Sequence, residues 1–389
     1  MKTQTFLILC AIQLFPCLAG SGDFECFIRR LESLPIERRQ TVADSFWAAR
    51  NQFPVVEDSL AAFVFREDSF RCVTVTGDFN RWKHPGDTLK RVPGTDLCHL
   101  YKSFERDARL DYKFVIDGKN WILDPCNPDT CMGGFGPNSE LAMPEYVRPA
   151  EILDKPDIPR GKLDTLSFRS ALLKNDRRVV VYLPPSYSKE AKRTYPCLYV
   201  NDGGEYITLG SICNVLNNGI HGGKITEVIA VFIDPMNRNG EYWLNEAYIT
   251  AVTDELVPWI DSRYRTIRNP AGRGIMGASL GGLTALNAVR LQSGVFGLCA
   301  SQSGAFWIEE EKIIELVRKA KVSNLRVYLD WGSYEPSIPT IHVRMADMLI
   351  AKGCRVKTRV WHEGHSWGSW RAHLAELLGF LFPARTPSP

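Results

Sequence analysis

The chain has 389 residues, enough for two domains, and its 45% hydrophobic and 23% charged content is that of an ordinary globular protein. Its 47 Lys and Arg against 44 Asp and Glu leave a net charge of +3, with no long basic block. That balance excludes an electrostatic case for nucleic acid or an anionic membrane surface, and no internal apolar run is long enough to span a bilayer.

Residues 1–20 carry one Lys, Lys2, then an apolar stretch from Phe6 to Leu18, then Ala19, Gly20 and Ser21. This is the pattern of a secretory signal peptide cleaved near Ala19 or Gly20, so the mature chain is expected to be exported, periplasmic or secreted. A buried N-terminal helix is the alternative. A lipid anchor at Cys17 is disfavoured, because Phe15-Pro16 lacks the small residues a lipoprotein site needs. Of 11 cysteines, nine follow this segment. Export permits disulfides, and Cys126 with Cys131, or Cys72 with Cys98, are candidate pairs. Cys197, Cys213, Cys299 and Cys354 read equally well as small buried hydrophobes. No Cys/His spacing suggests a metal site.

Residues 21–54 read as a helical arm, with Phe27, Ile28 and Leu31 on one face and Val42, Phe46 and Trp47 on another, interrupted by Pro35 and ended by Pro54. From 55 to 148 the pattern becomes short strands (Ala61 to Phe65, Cys72 to Thr76, Leu97 to Ser103, Leu110 to Ile116, Trp121 to Leu123) separated by Gly, Pro, Asn and Asp. Five or more such strands argue a β-sandwich of immunoglobulin size. Residues 149–162 are Pro-rich and charged and read as a linker.

Residues 163–383 alternate buried apolar strands with helical patterns, notably Asn245 to Ile260, Ile308 to Ala320 and Ile341 to Lys352. That alternation implies a mostly parallel sheet covered on both faces, an α/β fold. Residues 384–389 read as a disordered tail.

Within this α/β region, Gly277-Ala278-Ser279-Leu280-Gly281-Gly282 lies between a strand and a helix. A Ser on such a turn is held in strained backbone with its hydroxyl exposed above the sheet, and flanking glycines let strand and helix approach. A Gly-rich packing turn with an idle Ser is the alternative. A Ser nucleophile needs a base, and the base needs a partner that fixes its tautomer. In the α/β-hydrolase order both follow downstream, each in a loop after a strand. His365 follows Gly364 in such a loop and is the expected base, with His362 the second choice. Glu335, past Gly332, is the expected acid, with Asp330 the runner-up because it still lies on the strand. The backbone N–H groups of Gly204 and Leu280 are the expected oxyanion donors.

Two resemblances follow from these residues. Gly77-Asp78-Phe79-Asn80-Arg81-Trp82, the run Leu110 to Gly118, Trp121 and Asp124-Pro125 resemble the early-set β-sandwich of glycogen-binding and isoamylase N-terminal modules. In carbohydrate-binding members two Trp, a Lys and an Asn contact the sugar, and those types stand here at Trp82, Lys113, Trp121 and Asn138. A structural role, holding the sandwich together or lining its interface with the next domain, is the favoured reading of these four.

The segment Arg178 to Trp370 resembles the esterase family that includes enterochelin esterases, feruloyl and acetyl-xylan esterases, and mycolyltransferases. The resemblance rests on Val200-Asn201-Asp202-Gly203, Asp234 to Glu241, Glu255 to Trp259, the Ser279 turn, and Glu363-Gly364-His365-Ser366-Trp367-Gly368-Ser369-Trp370. It implies an α/β-hydrolase preceded by the sandwich, cleaving carboxylic esters without metal or organic cofactor, most like enterochelin esterases. In siderophore-cleaving relatives an Arg-x-x-Glu segment borders the substrate pocket, and Arg238 and Glu241 hold that spacing here; an Arg238–Glu241 ion pair is the equally weighted alternative. The family's Gly-Gly-His-Asp-Trp ending reads Glu363-Gly364-His365-Ser366-Trp367 here, which leaves the substrate open. The expected partner is a small-molecule or glycan ester; a carbohydrate-directed esterase, an acyltransferase, or a carbohydrate-binding protein with an inert hydrolase domain are the other readings.

Overall fold

The computed structural model describes residues 23–50, 52–67, 69–335 and 338–384. The expected signal segment at 1–20 and the tail residues 385–389 lie outside them. Among the described residues, no helix is long and apolar enough to cross a membrane.

Two helices come first, α1 (Asp23–Ser33) and α2 (Ile36–Ala48), separated at Pro35. Phe24, Ile28 and Leu31 recur at helical spacing on α1 and are buried, sharing one apolar cluster with Ala62, Val64 and Leu97 of the strands that follow. The arm therefore closes an outer face of the sandwich.

The sandwich contains β1 (Val55–Glu57), β2 (Leu60–Arg66), β3 (Val73–Gly77), β4 (Asp87–Thr88), β5 (Lys90–Arg91), β6 (Leu97–Ser103), β7 (Arg109–Ile116), β8 (Asn120–Ile122), β9 (Thr130–Gly133) and β10 (Gly136–Ala142). One sheet has the order β1-β2-β6-β5; the other has β4-β3-β7-β10-β9, with β8 also on β7. Because successive strand side chains point to opposite faces, β7 sends Leu110, Tyr112 and Phe114 into the core with Phe63, Phe65 and Val75. Its other face carries Arg109, Asp111 and Lys113. The sequence pattern did not anticipate β9 and β10, which join through a Gly-rich tip at residues 133–136.

The second sheet system has eight strands, ordered β11-β12-β14-β13-β15-β16-β17-β18. These are β11 (Lys162–Ser170), β12 (Asn175–Leu183), β13 (Cys197–Asn201), β14 (Ile229–Ile233), β15 (Arg273–Ala278), β16 (Leu298–Gln302), β17 (Arg326–Gly332) and β18 (Arg355–Trp361). The pairings β11–β12 and β12–β14 are antiparallel and the rest are parallel. The helices are α3 (Gly203–Thr208), α4 (Ile212–His221), α5 (Arg238–Tyr242), α6 (Glu246–Thr250), α7 (Val257–Arg263), α8 (Leu280–Leu291), α9 (Ile308–Lys319), α10 (Ile338–Ala351), α11 (Trp367–Ala372) and α12 (Leu374–Leu381). Two separate apolar clusters lie on the two sheet faces, one built on Val179, Tyr199 and Leu283, the other on Leu198, Met276 and Leu378. This is an α/β-hydrolase preceded by a β-sandwich.

The single helix expected over Asn245 to Ile260 is broken into α6, a π-helical turn at Ala251–Leu256, and α7. Pro258 lacks the N–H an α-helix needs there, and the ladder widens ahead of it. Neither candidate pair is bridged. Cys72, Cys98, Cys126 and Cys131 are all free thiols, and the strand carrying Cys98 belongs to a different sheet from the strand that follows Cys72.

Candidate active site

The carboxyl ends of β15, β17 and β18 supply the site. Ser279 follows β15 directly and N-caps α8 at φ 54°, ψ −119°, a left-handed φ that a non-Gly residue adopts only when its surroundings hold it. Those surroundings are tight. A Cβ on Gly277 would stand 2.4 Å from the Gly281 carbonyl carbon, and one on Gly282 would stand 2.6 Å from Ser301 Oγ. The Ser279 N–H donates to the Gln302 carbonyl at 2.9 Å, and its carbonyl accepts from Ala305 N–H at 2.9 Å. The Leu280 N–H opens α8, where first-turn N–H groups have no intrahelical partner and the helix dipole favours negative charge.

Glu335 lies three residues past β17 and is buried. Its Oε2 stands 2.5 Å from His365 Nδ1, and its Oε1 accepts from Ser303 Oγ at 2.6 Å and from the Gly332 N–H at 2.7 Å. Burial pushes this carboxyl up, but the His365 imidazole, the Ser303 hydroxyl and the Gly332 N–H together override it and hold it below its ordinary value. The carboxylate is thus ionised and pinned, and it fixes His365 with Nδ1 bonded and Nε2 free for other work. Ser303 in turn accepts from Trp370 Nε1 at 3.0 Å, and the Trp370 ring stands edge-on to the imidazole with centroids 5.0 Å apart. Ser303 and Trp370 were not anticipated as site residues; the aromatic run after His365 was the available signal.

Ser279 and His365 line one cavity of about 350 Å³ with Glu205, Arg238, Phe135 and Trp370. Of the second choices, Asp330 is buried beneath the sheet edge, where Gln302 Nε2 and Trp361 Nε1 reach its Oδ2 at 3.3 and 3.4 Å. His362 faces Asp107 of the sandwich, with Nδ1 2.6 Å from Oδ1.

Two expectations are corrected. Gly204 does not offer its N–H to the cavity: it donates to Asp234 Oδ1 at 2.7 Å, because a carboxylate following β14 satisfies the first turn of α3. Glu241 is not a pocket residue. It is buried against Arg177, whose Nη1 and Nη2 donate to its two oxygens at 3.1 and 3.0 Å. Nor does it pair with Arg238, which lines the cavity and makes a two-pronged ion pair with the buried Asp202 at 2.9 Å for each contact.

The sandwich forms part of this site. Arg109, fully buried, donates through Nε and Nη2 to Glu140, and through Nη1 to Ser366 Oγ at 3.1 Å. Its own N–H donates to the His362 carbonyl at 3.0 Å. A Cβ on Gly368 would fall 2.2 Å from the guanidinium carbon, and one on Gly364 only 2.1 Å from Asp78 Cγ, so the loop carrying His365 lies flat on β7 and on Asp78. Asp78 itself is pushed up to about 7 by burial and by the neighbouring Asp111 carboxylate. Trp82, Lys113, Trp121 and Asn138 neither fill the sandwich core nor scatter: all four line one cavity of about 340 Å³, of which His365 is also a wall.

A family model described as "Putative esterase" matches residues 170–381. Among curated proteins, the Iron(III) enterobactin esterase of Dickeya dadantii is 26% identical over 352 residues, covering 77% of this chain and 80% of that one. The uncharacterized protein YbbA of Bacillus subtilis is 30% identical over 176 residues, 41% of this chain and 69% of that one. Among solved structures, the ferric enterobactin esterase of Salmonella typhimurium superposes with a TM-score of 0.74 at 22% identity, covering 87% of this chain and 98% of that one.

Proposed function

This chain belongs to the esterase family and is a carboxylic ester hydrolase, and we propose that it works through a Ser279–His365–Glu335 triad and an acyl-enzyme. His365 Nε2 takes the proton of the Ser279 hydroxyl as Oγ attacks the ester carbonyl. The Leu280 N–H at the head of α8 receives the developing oxyanion. His365 then returns the proton to the departing alkoxide, and a water deprotonated by the same nitrogen releases the acid. Glu335 orients the ring throughout and balances the imidazolium charge.

One observation carries this reading: the 2.5 Å contact between His365 Nδ1 and a Glu335 carboxylate held ionised, opening onto the cavity that Ser279 also lines. The substrate class we infer is a siderophore-type ester, by likeness to the enterobactin esterase of Dickeya dadantii across most of both chains. Clustering of Trp82, Lys113, Trp121 and Asn138 beside His365 supports a second reading, a carbohydrate-directed ester. Export through the 1–20 segment is part of the proposal.

The test is hydrolysis of p-nitrophenyl acetate by the Ser279→Ala protein, with a fluorophosphonate label on the parent. A loss of at least about a thousandfold, with label on the parent and none on the variant, is expected. Hydrolysis at the parent rate would remove Ser279 from the reaction. A panel of a trilactone siderophore and acetylated and feruloylated xylan separates the two substrate classes.

A further inference from the structure

The rim of the eight-stranded sheet opposite Ser279 holds a cavity of its own. Arg326 and Arg355 open β17 and β18, the strands whose far ends lead to Glu335 and His365. At this amino-terminal rim they line a cavity of about 550 Å³, larger than either cavity at His365. No group of the proposed triad lies there.

Arg326 and Arg355 are direct partners across the parallel pair β17–β18, so their side chains leave the sheet on the same face. Like charges placed side by side on a sheet repel and destabilise it. A neighbouring carboxylate would cancel such a pair, yet among the described residues none is bonded to either guanidinium. Arg326 donates through Nη1 to the Leu381 carbonyl at the end of α12, at 2.9 Å. Arg355 lies over the Phe380 ring, its guanidinium carbon 5.6 Å from the centroid. These contacts hold both cations in place without neutralising them. Burial, and then the nearby Arg355 charge, hold the Arg326 guanidinium below its ordinary pKa.

The walls around the two cations include the neutral polar residues Asn269, Ser293, Ser323 and Asn324. Asn269 Oδ1 accepts from the Gly272 N–H at 3.0 Å, which leaves its amide N–H groups for a ligand. A bare ion would leave most of this volume empty; it suits a small molecule.

We propose that this far-rim cavity binds the phosphate monoester of a small hydroxylated molecule. Two forked guanidiniums match the oxygens of a tetrahedral dianion, and the dianion removes their mutual repulsion. Asn269, Ser293, Ser323 and Asn324 meet the hydroxyls of the attached body. A phosphate monoester carries about −1.5 to −2 at neutral pH, enough for both cations. A sulfate monoester carries a single charge and leaves one cation unanswered. The site stands whether or not the chain acts through Ser279.

The test is calorimetric titration of the full chain with ribose 5-phosphate at fixed ionic strength, against inorganic phosphate, ribose and glucose 6-sulfate. The expected Kd for ribose 5-phosphate is below about 1 mM, with both other anions at least about tenfold weaker and ribose silent. Arg326 also holds α12, so the exposed Arg355 is the residue to change. Arg355→Gln should weaken binding by about tenfold or more, and Arg355→Lys should recover part of the loss. Ribose 5-phosphate should raise the Tm of the parent and leave that of Arg355→Gln unmoved. Arg355→Gln should hydrolyse p-nitrophenyl acetate at the parent rate, because it lies at the other end of its strand from the triad. No binding of ribose 5-phosphate to the parent overturns the proposal, as does a Kd for Arg355→Gln within about twofold of the parent value. Equal affinity for inorganic phosphate and ribose 5-phosphate overturns the assignment to an ester.

Discussion

Arg109, buried in the β-sandwich, donates to the hydroxyl of Ser366, the residue beside His365 in the other half of the molecule. The guanidinium also fills the space above Gly368, while Glu140 and Asp111 balance its charge. A strand of the first region thereby sets the height and tilt of the loop that presents the imidazole in the second.

Arg109→Met is therefore expected to lower kcat on every ester by tenfold or more, with a smaller change in KM, because the ring is displaced and not the pocket. It should also cost about 3 kcal/mol of stability, since Asp111 is left buried without its cation while Glu140 keeps Arg148. Steady-state kinetics on p-nitrophenyl acetate and a denaturant titration read the two effects separately. An unchanged kcat would mean that the loop holds its own shape.

Glu335→Gln keeps the size of the side chain and removes its charge. The amide cannot both fix the His365 tautomer and stabilise the imidazolium, so kcat should fall by about a thousandfold or more. Glu335 also has a folded pKa below its unfolded one. The stability it supplies is complete above the unfolded value of about 4.3 and is lost as pH falls through the folded one. In thermal melts, the gap between parent and variant should close as the pH is lowered.

Asp330 behaves in the opposite sense. Burial pushes its carboxyl up to about 7, against partial relief from His373 and from the Gln302 and Trp361 donors. Between about pH 4 and pH 7 the native state keeps a proton that the unfolded chain has shed, so this group's contribution declines as pH rises through 7. Asp330→Asn should flatten the decline, gaining on the order of 5 °C in Tm relative to the parent at pH 8 and little at pH 5. Equal shifts at both pH values would place the proton elsewhere.

Gly277→Ala tests the turn under Ser279. Its Cβ would stand 2.4 Å from the backbone of Gly281, and nothing flexible is there to move aside. Loss of fluorophosphonate labelling is expected, with a fall in Tm of several degrees. A fully labelled, stable variant would show that α8 can shift to make room.

Much of this was readable along the chain because it is local. Gly-x-Ser-x-Gly-Gly after an apolar strand, a Gly-His pair after another, and a Glu past Gly332 each announce a strand-end loop, and the parallel order of β15, β17 and β18 brings those loops to one rim. What could not be read depends on partners distant in sequence. The Gly204 N–H looked free until Asp234 arrived from the end of β14, and Arg238 and Glu241, three apart, pair with Asp202 and Arg177 and not with each other. The strands β9 and β10 escaped because glycine, proline and asparagine dilute their alternation, and β11, at the start of the α/β region, because an edge strand with one wet face carries no buried apolar run. The outward charges of β7, Arg109, Asp111 and Lys113, were visible as an alternation, but their destination was not.

The backbone bond from Arg109 to the His362 carbonyl, with the bridge it forms to Glu363, makes β7 an external splint for the loop between β18 and α11. Trimming the chain to residues 162–389, which hold the whole eight-stranded sheet, would strip that support and wet the surfaces over Gly364 and Gly368. Such a fragment should keep its eight-stranded sheet and lose turnover, whereas grafting a sandwich from a distant relative should restore turnover only if its equivalent strand places a cation over the same glycine.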